Sequence, residues 1–236
     1  MQPVARCFIV SGASSGIGRA CAKMLLLQGY TVIGLSRDSS KFTQPHPNFY
    51  GYQIDLADLK NLAGHFKALL KTYPNISGMI LSAGQGRFAS LEEFSYAQMQ
   101  TLLDINLQSP IFTAKALLPH LKKQPLADLV FIGSEAALKG SRKGSLYCAS
   151  KFGLRGFTQA LRDECAKSSV RVALINPGMV KTAFFDDLSF SPGDAESQHL
   201  QATDVAEAVQ YVINSRKGII VDEINLNPAN HVINFR

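Results

Sequence analysis

Residues 11–18 are Ser11-Gly12-Ala13-Ser14-Ser15-Gly16-Ile17-Gly18, a glycine-rich loop between an apolar run and a helix-like run. Glycines let the backbone turn sharply and come close to a pyrophosphate. The helix that follows offers unpaired N–H groups and the positive end of its dipole. The spacing is Gly-x-x-x-Gly-x-Gly, which differs from the GxGxxG fingerprint, and such glycines also occur in ordinary tight turns. Because the loop lies between a first strand and a first helix, it favours a dinucleotide-binding fold.

Strand-like and helix-like runs alternate along the rest of the chain. The predicted strands are Arg6–Val10, Thr31–Leu35, Asn48–Ile54, Ser77–Ser82, Leu129–Gly133, Val170–Ile175 and Ile219–Ile224. The predicted helices are Gly16–Gln28, Leu56–Tyr73, Glu92–Asp104, Ser109–Lys122, Ser145–Lys167 and Thr203–Asn214. This alternation predicts an α/β fold, a parallel sheet with helices on both faces. Since no linker or internal repeat divides the chain, we expect residues 1–236 to form a single domain.

Composition limits the classes of partner. The chain is 46% hydrophobic and 18% charged, with a net charge of +6. Lys and Arg are scattered, which argues against nucleic acid, and the mild excess suits a phosphorylated small molecule. One local cluster, Lys139, Arg142 and Lys143, fits either an anion near the entrance or a solvated loop. No apolar run reaches the roughly 18 residues of a membrane span, and no signal peptide is evident. The four cysteines form no CxxC pair or metal-ligand pattern, so we expect no metal and a reducing cytoplasm.

The end of the second predicted strand bears on the choice of nucleotide. An acidic residue there suits the ribose hydroxyls of NAD, and a cation suits the 2′-phosphate of NADP. Ser36 occupies the place of the acid, and Arg37 supplies a forked set of donors for a phosphate. Asp38 is the rival and would favour NAD, and a solvated Arg37 is the third reading. We predict NADP(H), with NAD(H) second.

A phenol and an ammonium lie one helical turn apart, at Tyr147 and Lys151, so they share a helix face. A tyrosine with a pKa near ~10 needs a drop of about 3 units, or about 4 kcal/mol, to act as a base at neutral pH. A lysine charge about 4 Å away supplies about 4 kcal/mol at an effective dielectric of ~20. Ser134 ends the fifth strand and can bond a substrate oxygen. The amide of Asn106 is a candidate to hold a water in a proton path, although from physics alone it is equally a helix cap.

Taken together, these motifs resemble the short-chain dehydrogenase/reductase family over nearly the whole chain. The family's order is matched by the glycine loop, by Asn106, by Ser134, Tyr147 and Lys151, and by Asn176-Pro177-Gly178 followed by Thr182. The resemblance implies a Rossmann-type, doubly wound sheet and an NADP(H)-dependent enzyme that transfers a hydride between nicotinamide and a carbonyl or alcohol substrate. It implies a catalytic tetrad of Asn106, Ser134, Tyr147 and Lys151. In this tetrad Tyr147 is the general acid/base, Ser134 orients the substrate oxygen, and Lys151 lowers the pKa of the tyrosine and binds the nicotinamide ribose.

The resemblance also assigns the residues that contact the nucleotide, with Asp55 on the adenine, Ile17 along the pyrophosphate and Thr182 at the carboxamide. The full set is Gly12, Ser14, Ser15, Gly16, Ile17, Gly18, Ser36, Arg37, Asp55, Leu56, Ala83, Gly84, Tyr147, Lys151, Pro177, Gly178, Val180 and Thr182. Two positions depart from the family. Leu81-Ser82-Ala83-Gly84 stands for Asn-Asn-Ala-Gly, which puts the bracing of the sheet in question. Ser15 replaces a basic residue common in NADP-preferring members, so the cofactor choice rests on Arg37.

The segment at about 183–202 is similar to the family's substrate lid. Its rings, Phe184, Phe185 and Phe190, either cover an apolar substrate or simply pack the lid onto the body. The helices at Ser109–Lys122 and Ser145–Lys167 resemble those that form the family's dimer interface, so a homodimer or homotetramer is expected, with the C-terminal tail across a subunit boundary. The alternative to an enzyme is a non-catalytic NADP-binding regulatory or scaffold protein of the same fold.

Overall fold

The structure, a computed structural model, describes residues 6–41 and 46–236. Its main sheet has seven parallel strands in the order β3-β2-β1-β4-β5-β6-β8. These strands are β1 Cys7–Ser11, β2 Thr31–Ser36, β3 Phe49–Gln53, β4 Ile76–Leu81, β5 Ala127–Ile132, β6 Val170–Pro177 and β8 Glu223–Leu226. The helices are α1 Gly16–Leu27, α2 Leu59–Thr72, α3 Tyr96–Leu103, α4 Ser109–Leu121, α5 Ser145–Cys165 and α6 Ala202–Asn214. The predicted doubly wound parallel sheet is confirmed.

The central strands are mostly apolar because helices cover both faces of the sheet, and their buried charges, Asp128 of β5 and Arg171 of β6, form an ion pair at 2.7 Å. Every residue of β1, β4, β5 and β6 is buried. Successive side chains of a strand point to opposite faces, so Ile9 belongs to one core and Phe8 to the other. The first core packs against α2, α4 and α5, and the second against α1 and α6.

The strand order reverses between β1 and β4. From β1 the chain crosses through α1 to β2 on one side, and later strands extend the sheet from β4 on the other. In folds of this kind a crevice opens beyond the carboxyl ends of the strands at that reversal. The glycine loop and the ends of β4, β5 and β6 therefore surround one crevice.

One strand differs from the sequence-based expectation, and one pairing was not expected. The last strand of the sheet was expected at Ile219–Ile224, but it pairs with β6 only over Glu223–Leu226. The contact of the C-terminal tail with a second subunit stays a prediction. Within the chain, β9, Ile233–Phe235, pairs antiparallel with β7, Phe190–Pro192, of the lid. Local periodicity cannot show either result, because both depend on which backbone edge is free to pair. Within residues 6–41 and 46–236, no helix combines the length and the apolar character needed to cross a membrane.

Candidate active site

A cleft of about 1490 Å³ opens at the carboxyl ends of the central strands. It brings together most of the predicted nucleotide-binding residues: Gly12, Ser15, Gly16, Ile17, Gly18, Arg37, Ala83, Gly84, Tyr147, Lys151, Pro177, Gly178, Val180 and Thr182. Ser134 lines the same cleft, and Asn106 is buried behind it. Four predicted residues are not among the described residues that line the cleft: Ser14, Ser36, Asp55 and Leu56.

The glycine loop is shaped by contacts that leave no space for side chains. Gly12 has φ +69°, and a Cβ there would lie 3.3 Å from the Cα of Ala83. A Cβ on Gly18 would lie 2.3 Å from the carbonyl oxygen of Gly12, which no backbone shift of ordinary size relieves. Gly16, with φ +48°, faces the side chain of Thr182, where the lid begins. The loop therefore presents bare backbone to the cleft.

Ser11 braces the sheet at the place where the family's two asparagines are missing. Its Oγ accepts hydrogen bonds from the backbone N–H groups of Ser82 and Ala83, at 2.9 Å and 3.0 Å. The hydroxyl thus ties the end of β1 to the segment after β4, where the two strands begin to separate. Sequence reasoning did not single out Ser11, although a hydroxyl at the end of a strand next to a glycine loop was the available signal.

Arg37 and Asp38, the two rival selectors of the nucleotide, lie in different environments. Arg37 is exposed and lines the cleft. Asp38 is turned to its own loop, where its Oδ1 accepts hydrogen bonds from the hydroxyl and N–H of Ser40 at 2.6 Å and 3.1 Å. The hydrogen bond from the Ser40 side chain lowers the pKa of Asp38. The geometry thus leaves Arg37 as the cleft-lining member of the pair.

Asp55 and Leu56 follow β3, two strands away from β1. The carboxylate of Asp55 accepts the N–H of Ala57 at 2.9 Å, which forms a turn before α2. Leu56 is buried in the core. After this turn α2 begins at Leu59. Asp55 thus has a role in the local turn, and Leu56 has a role in the core.

Ser134, Tyr147 and Lys151 meet at the floor of the cleft. Ser134 lies just after β5 and makes a side-chain hydrogen bond with Tyr147. Lys151, one turn along α5, places its Nζ 5.8 Å from the centroid of the Tyr147 ring. The same Nζ donates to the carbonyl of Ile132 at 3.1 Å. The predicted clustering of these three side chains is therefore observed.

Burial sets the protonation of the pair, and it acts against the expected effect of the lysine charge. Tyr147 and Lys151 are only 7% and 6% exposed. Burial raises the pKa of Tyr147 to about 12, although the hydrogen bond with Ser134 acts in the opposite direction. Burial also lowers the pKa of Lys151 to about 8. The sequence-based expectation of a lowered tyrosine pKa is thus wrong for the chain alone, because desolvation of both groups outweighs their attraction.

Asn106 does not use its amide as expected. The amide is 1% exposed, accepts the N–H of Gln85 at 2.9 Å and donates to the Gln85 carbonyl at 2.9 Å. These bonds brace the loop after β4 rather than hold a water. Residues Asp104–Gln108 form a π-helical segment between α3 and α4. In an α-helix the carbonyl of Asn106 would accept the N–H of residue 110, but that residue is Pro110, which has no N–H. The backbone carbonyl is therefore a better candidate for a water than the amide.

Asn176 is a further residue that the sequence analysis did not assign to the site. Its Oδ1 accepts the N–H of Ser134 at 3.3 Å, and its Nδ2 donates to Glu223 and Asn225 at 2.8 Å and 2.9 Å. A Cβ on Gly133 would lie 2.1 Å from that Oδ1. A buried amide thus positions the backbone of Ser134, and Gly133 leaves the space for it.

Aromatic rings from three segments surround the Tyr147 phenol. Phe88, after β4, has its ring centroid 4.9 Å from that of Tyr147, and Phe184 of the lid lies 6.2 Å away. Phe190 of the lid contacts Phe88 at 5.0 Å and Phe235 of the tail at 6.5 Å. We call Phe88, Phe184, Phe190 and Phe235 the aromatic wall. It joins the lid to the tail beside the phenol.

The tail holds the lid by polar contacts as well. The N–H of Gly193 donates to Val232 and the N–H of Asn230 donates to Ser197, at 3.1 Å and 2.8 Å. On the other side, His231 Nε2 lies 3.2 Å from the carboxylate of Glu135, the residue after Ser134. Among the described residues, no group of three or more His, Cys, Asp or Glu side chains is arranged to hold a metal ion.

Comparison with known proteins agrees with this geometry. The sequence profile of short chain dehydrogenases matches residues 6–191. The chain therefore belongs to the short-chain dehydrogenase/reductase family and is an oxidoreductase.

An uncharacterized oxidoreductase of Staphylococcus epidermidis is 28% identical over 225 residues, which cover 94% of this chain and 96% of that protein. Two solved structures share the fold. An alcohol dehydrogenase from the archaeon Thermococcus sibiricus, complexed with 5-hydroxy-NADP, has a TM-score of 0.84 at 24% identity and covers 94% of this chain and 96% of its own. A 4-hydroxyisoleucine dehydrogenase complexed with NADH has a TM-score of 0.82 at 23% identity, with 94% and 97% covered.

We predict that the tail keeps the lid closed. Deletion of residues 229–236 removes β9, the ring of Phe235 and the His231–Glu135 contact, so chymotrypsin should cleave within residues 183–202 at least about fivefold faster, because the freed segment opens more often. Limited proteolysis with mass spectrometry of the fragments measures this. Tyr211→Ala, which removes an exposed ring outside the cleft, should leave cleavage unchanged. Equal cleavage of the deletion variant and the intact chain would contradict the prediction.

Proposed function

We propose that this oxidoreductase is NADP(H)-dependent and transfers a hydride between the nicotinamide and a carbonyl or alcohol substrate, with Tyr147 as the general acid/base. The observation that carries the proposal is the position of Tyr147. Its phenol is buried beside Ser134 and Lys151, in the same cleft as the glycine loop. A nucleotide bound at the loop and a substrate oxygen at the phenol would then occupy one continuous site.

The residues present fit a dinucleotide. A Cβ on Gly18 would clash with the carbonyl oxygen of Gly12, and Gly12 has φ +69°, so the loop turns bare backbone toward a pyrophosphate. Ser15, the N-cap of α1, makes no side-chain capping hydrogen bond, and the first turn of α1 carries no acidic residue. The helix end is thus available to an anion. Gly12, Ser15, Gly16, Ile17 and Gly18 would hold the pyrophosphate, and Lys151 and Thr182 the nicotinamide half.

The division of work among the catalytic side chains follows from their environments. When bound, the nicotinamide supplies the hydride in reduction and accepts it in oxidation. Ser134 Oγ orients the substrate oxygen, held in place through Asn176. At neutral pH the raised pKa keeps Tyr147 protonated, which is the form that donates a proton to the oxygen of a carbonyl being reduced. Lys151 and a water on the Asn106 carbonyl then return a proton to the phenol from solvent.

The choice of NADP(H) over NAD(H) is supported by Arg37. It lines the cleft at the end of β2 while Asp38 is occupied by Ser40. Structural neighbours hold both kinds of nucleotide, a 5-hydroxy-NADP in one and NADH in another, so fold likeness does not select between them. Ser14, Ser36, Asp55 and Leu56 stay in the proposed nucleotide site, with Asp55 at the adenine.

Three further features belong to the same proposal. Residues 1–236 act as one domain, with about 183–202 as the substrate lid and the tail as its support. The location is cytoplasmic, which suits four cysteines that are all free and buried. The protein is a homodimer or homotetramer through α4 and α5, because Phe112 and Phe152 on these helices are 41% and 43% exposed.

Replacing Tyr147 by Phe tests the chemical step. The variant should lose about 10³-fold in kcat/KM for carbonyl reduction, because a general acid contributes about 10²–10⁴. Its dissociation constant for NADPH should change by less than about threefold. NADPH absorbance follows turnover, and calorimetry measures binding. Retention of more than a tenth of the activity with a carbonyl panel would refute the assigned role.

Arg37→Gln tests the cofactor choice. The variant should bind NADPH about 10- to 100-fold more weakly, the loss expected for a charge-assisted contact worth about 1.5–3 kcal/mol, and should bind NADH with unchanged affinity. Asp38→Asn is the matched control and should leave both affinities as they are. Tighter binding of NADH than of NADPH by the unmodified chain would overturn the proposal.

The lowered pKa of Lys151 predicts a pH dependence of nucleotide binding. Below pH about 8 the ammonium is charged and can donate to the ribose, and above this pH it loses its proton. The dissociation constant of NADPH should therefore be constant up to pH about 8 and rise above it. Lys151→Arg keeps its charge, so its dissociation constant should stay level through pH 8 whatever its absolute value. A profile of the unmodified chain that is level to pH 10 would contradict this.

The oligomer proposal is tested by Phe112→Glu combined with Phe152→Glu. A buried interface does not tolerate unpaired carboxylates, so sedimentation should show the variant as a monomer at concentrations where the unmodified chain is larger. Leu27→Glu, on the 90% exposed side chain at the end of α1, is the control and should not change the sedimentation. A monomeric unmodified chain would remove the proposal.

A further inference from the structure

Four cations lie along the substrate side of the cleft. Arg87 follows β4, and Lys139, Arg142 and Lys143 lie in the loop between β5 and α5. We call these four residues the basic rim. All four are exposed, and within the described residues none of them makes an ion pair. Their charges therefore act on whatever occupies the cleft.

The basic rim adjoins the aromatic wall. The carbonyl of Lys143 accepts the N–H of Ala89 at 2.8 Å, which joins the loop of the rim to the residue after Phe88. In the same loop Ser141 Oγ lies 3.5 Å from the Sγ of Cys148, the neighbour of Tyr147. A ligand that leaves the phenol along the ring of Phe88 thus reaches the rim.

The rim is separate from the phosphate-selecting position. Arg37 follows β2, whereas the 139–143 loop follows β5, and β1 and β4 lie between these strands. Three strand spacings amount to about 14 Å. The rim therefore does not share the 2′-phosphate proposed for Arg37, and its charge needs another anion.

Carboxylates in the cleft do not cancel the rim. The carboxylate of Glu93 accepts the N–H of Ser90 at 2.9 Å, and the carboxylate of Glu135 lies 3.2 Å from His231 Nε2. Asp187 is the remaining acid among the described cleft residues, and it belongs to the lid. Four cations therefore face three carboxylates, of which Glu93 and Glu135 are held by contacts of their own, and this end of the cleft keeps a net positive charge.

The backbone of the rim carries strain at one position. Lys143 has φ 60°, the one positive φ among the described non-glycine residues. Glycine adopts this conformation freely, whereas a lysine holds it at an energetic cost. Strained residues of this kind collect where a site needs a particular side chain. Here that side chain brings a charge into the cleft.

We propose that the substrate is a carbonyl compound, or the corresponding alcohol, that has an aromatic or other apolar body and an anionic group at its far end. The body lies against the aromatic wall, and the anionic group is bound by the basic rim. This inference rests on the proposed function, because it places the reacting oxygen at Tyr147. It names the substrate class of that same site.

The test compares three aldehydes of one shape: 4-carboxybenzaldehyde, 4-formylphenyl phosphate and the uncharged methyl 4-formylbenzoate. With NADPH at saturation, we expect at least one of the two anionic aldehydes to exceed the ester by about tenfold in kcat/KM, the effect of one or two exposed ion pairs. The better of the two identifies carboxylate or phosphate as the group bound. This preference should shrink as salt is added, because screening weakens exposed charges.

The variant pair Arg142→Gln with Lys143→Gly should lower the anion-to-ester ratio at least about threefold, because two of the four charges of the rim are lost, and glycine keeps the backbone conformation at position 143. Lys67→Gln with Lys71→Gln removes the same charge from exposed positions on α2 and should keep the ratio of the unmodified chain. If the unmodified chain reduces the ester with the same kcat/KM as both anionic aldehydes, the inference fails and the proposed function stands. If none of the three is reduced, the proposed function fails with it.

Discussion

The hydroxyl of Ser11 accepts two backbone N–H groups from the segment after β4, at the place where the strand order reverses. Parallel neighbours must part there to open a crevice, and each parting strand end leaves polar groups that need partners. A single buried oxygen accepts two N–H groups of the segment that leaves β4 and holds Ala83 close to Gly12. The short distance between those two residues is possible because Gly12 has no Cβ. The floor of the cleft depends on this junction.

Burial governs the chemistry at the other end of the cleft. A phenol and an ammonium are both withdrawn from water, and each is driven toward its neutral form, so the pKa of Tyr147 rises and that of Lys151 falls. Buried polar groups are costly unless they are paired, and the structure pairs them: Ser134 meets the phenol, and the Ile132 carbonyl meets the ammonium. Asn106 and Asn176 fix the loops on either side. The site is thus held by amides that do no chemistry themselves.

The lid and the tail form one unit through β7 and β9. Phe190 and Phe235 pack at the point where these short strands pair, and His231 connects the tail to the residue after Ser134. The two strands have three residues each, which is too short for independent stability. The aromatic contacts with Phe88 and Phe184 supply the rest of the stability of this unit. The aromatic wall beside Tyr147 is therefore built from residues far apart in the chain, from the loop after β4 to the last residues.

Much of the molecule could be predicted from local patterns. The alternation of apolar runs with amphipathic helices predicted the parallel sheet, since strands that are buried on both faces must be mostly apolar. Glycine spacing predicted the loop between β1 and α1, and the Tyr147–Lys151 interval predicted that these two side chains share a face of one helix. Most of the other residues that line the cleft were assigned by resemblance to the family. Of the predicted contacts that do not line the cleft, Asp55 forms a local turn and Leu56 packs in the core.

Other features required the assembled fold. The pKa of Tyr147 depends on how much water surrounds it, which spacing along a helix does not reveal, and the expectation from charge alone had the wrong sign. The use of the Asn106 amide as a brace depends on a π-helical segment that brings it to Gln85. The pairing of the tail with the lid joins Phe190–Pro192 to Ile233–Phe235, and the four cations lie beside rings that come from positions 88 to 235. Periodicity describes neighbours along the chain, whereas desolvation, edge pairing and summed charge arise only between segments that folding brings together.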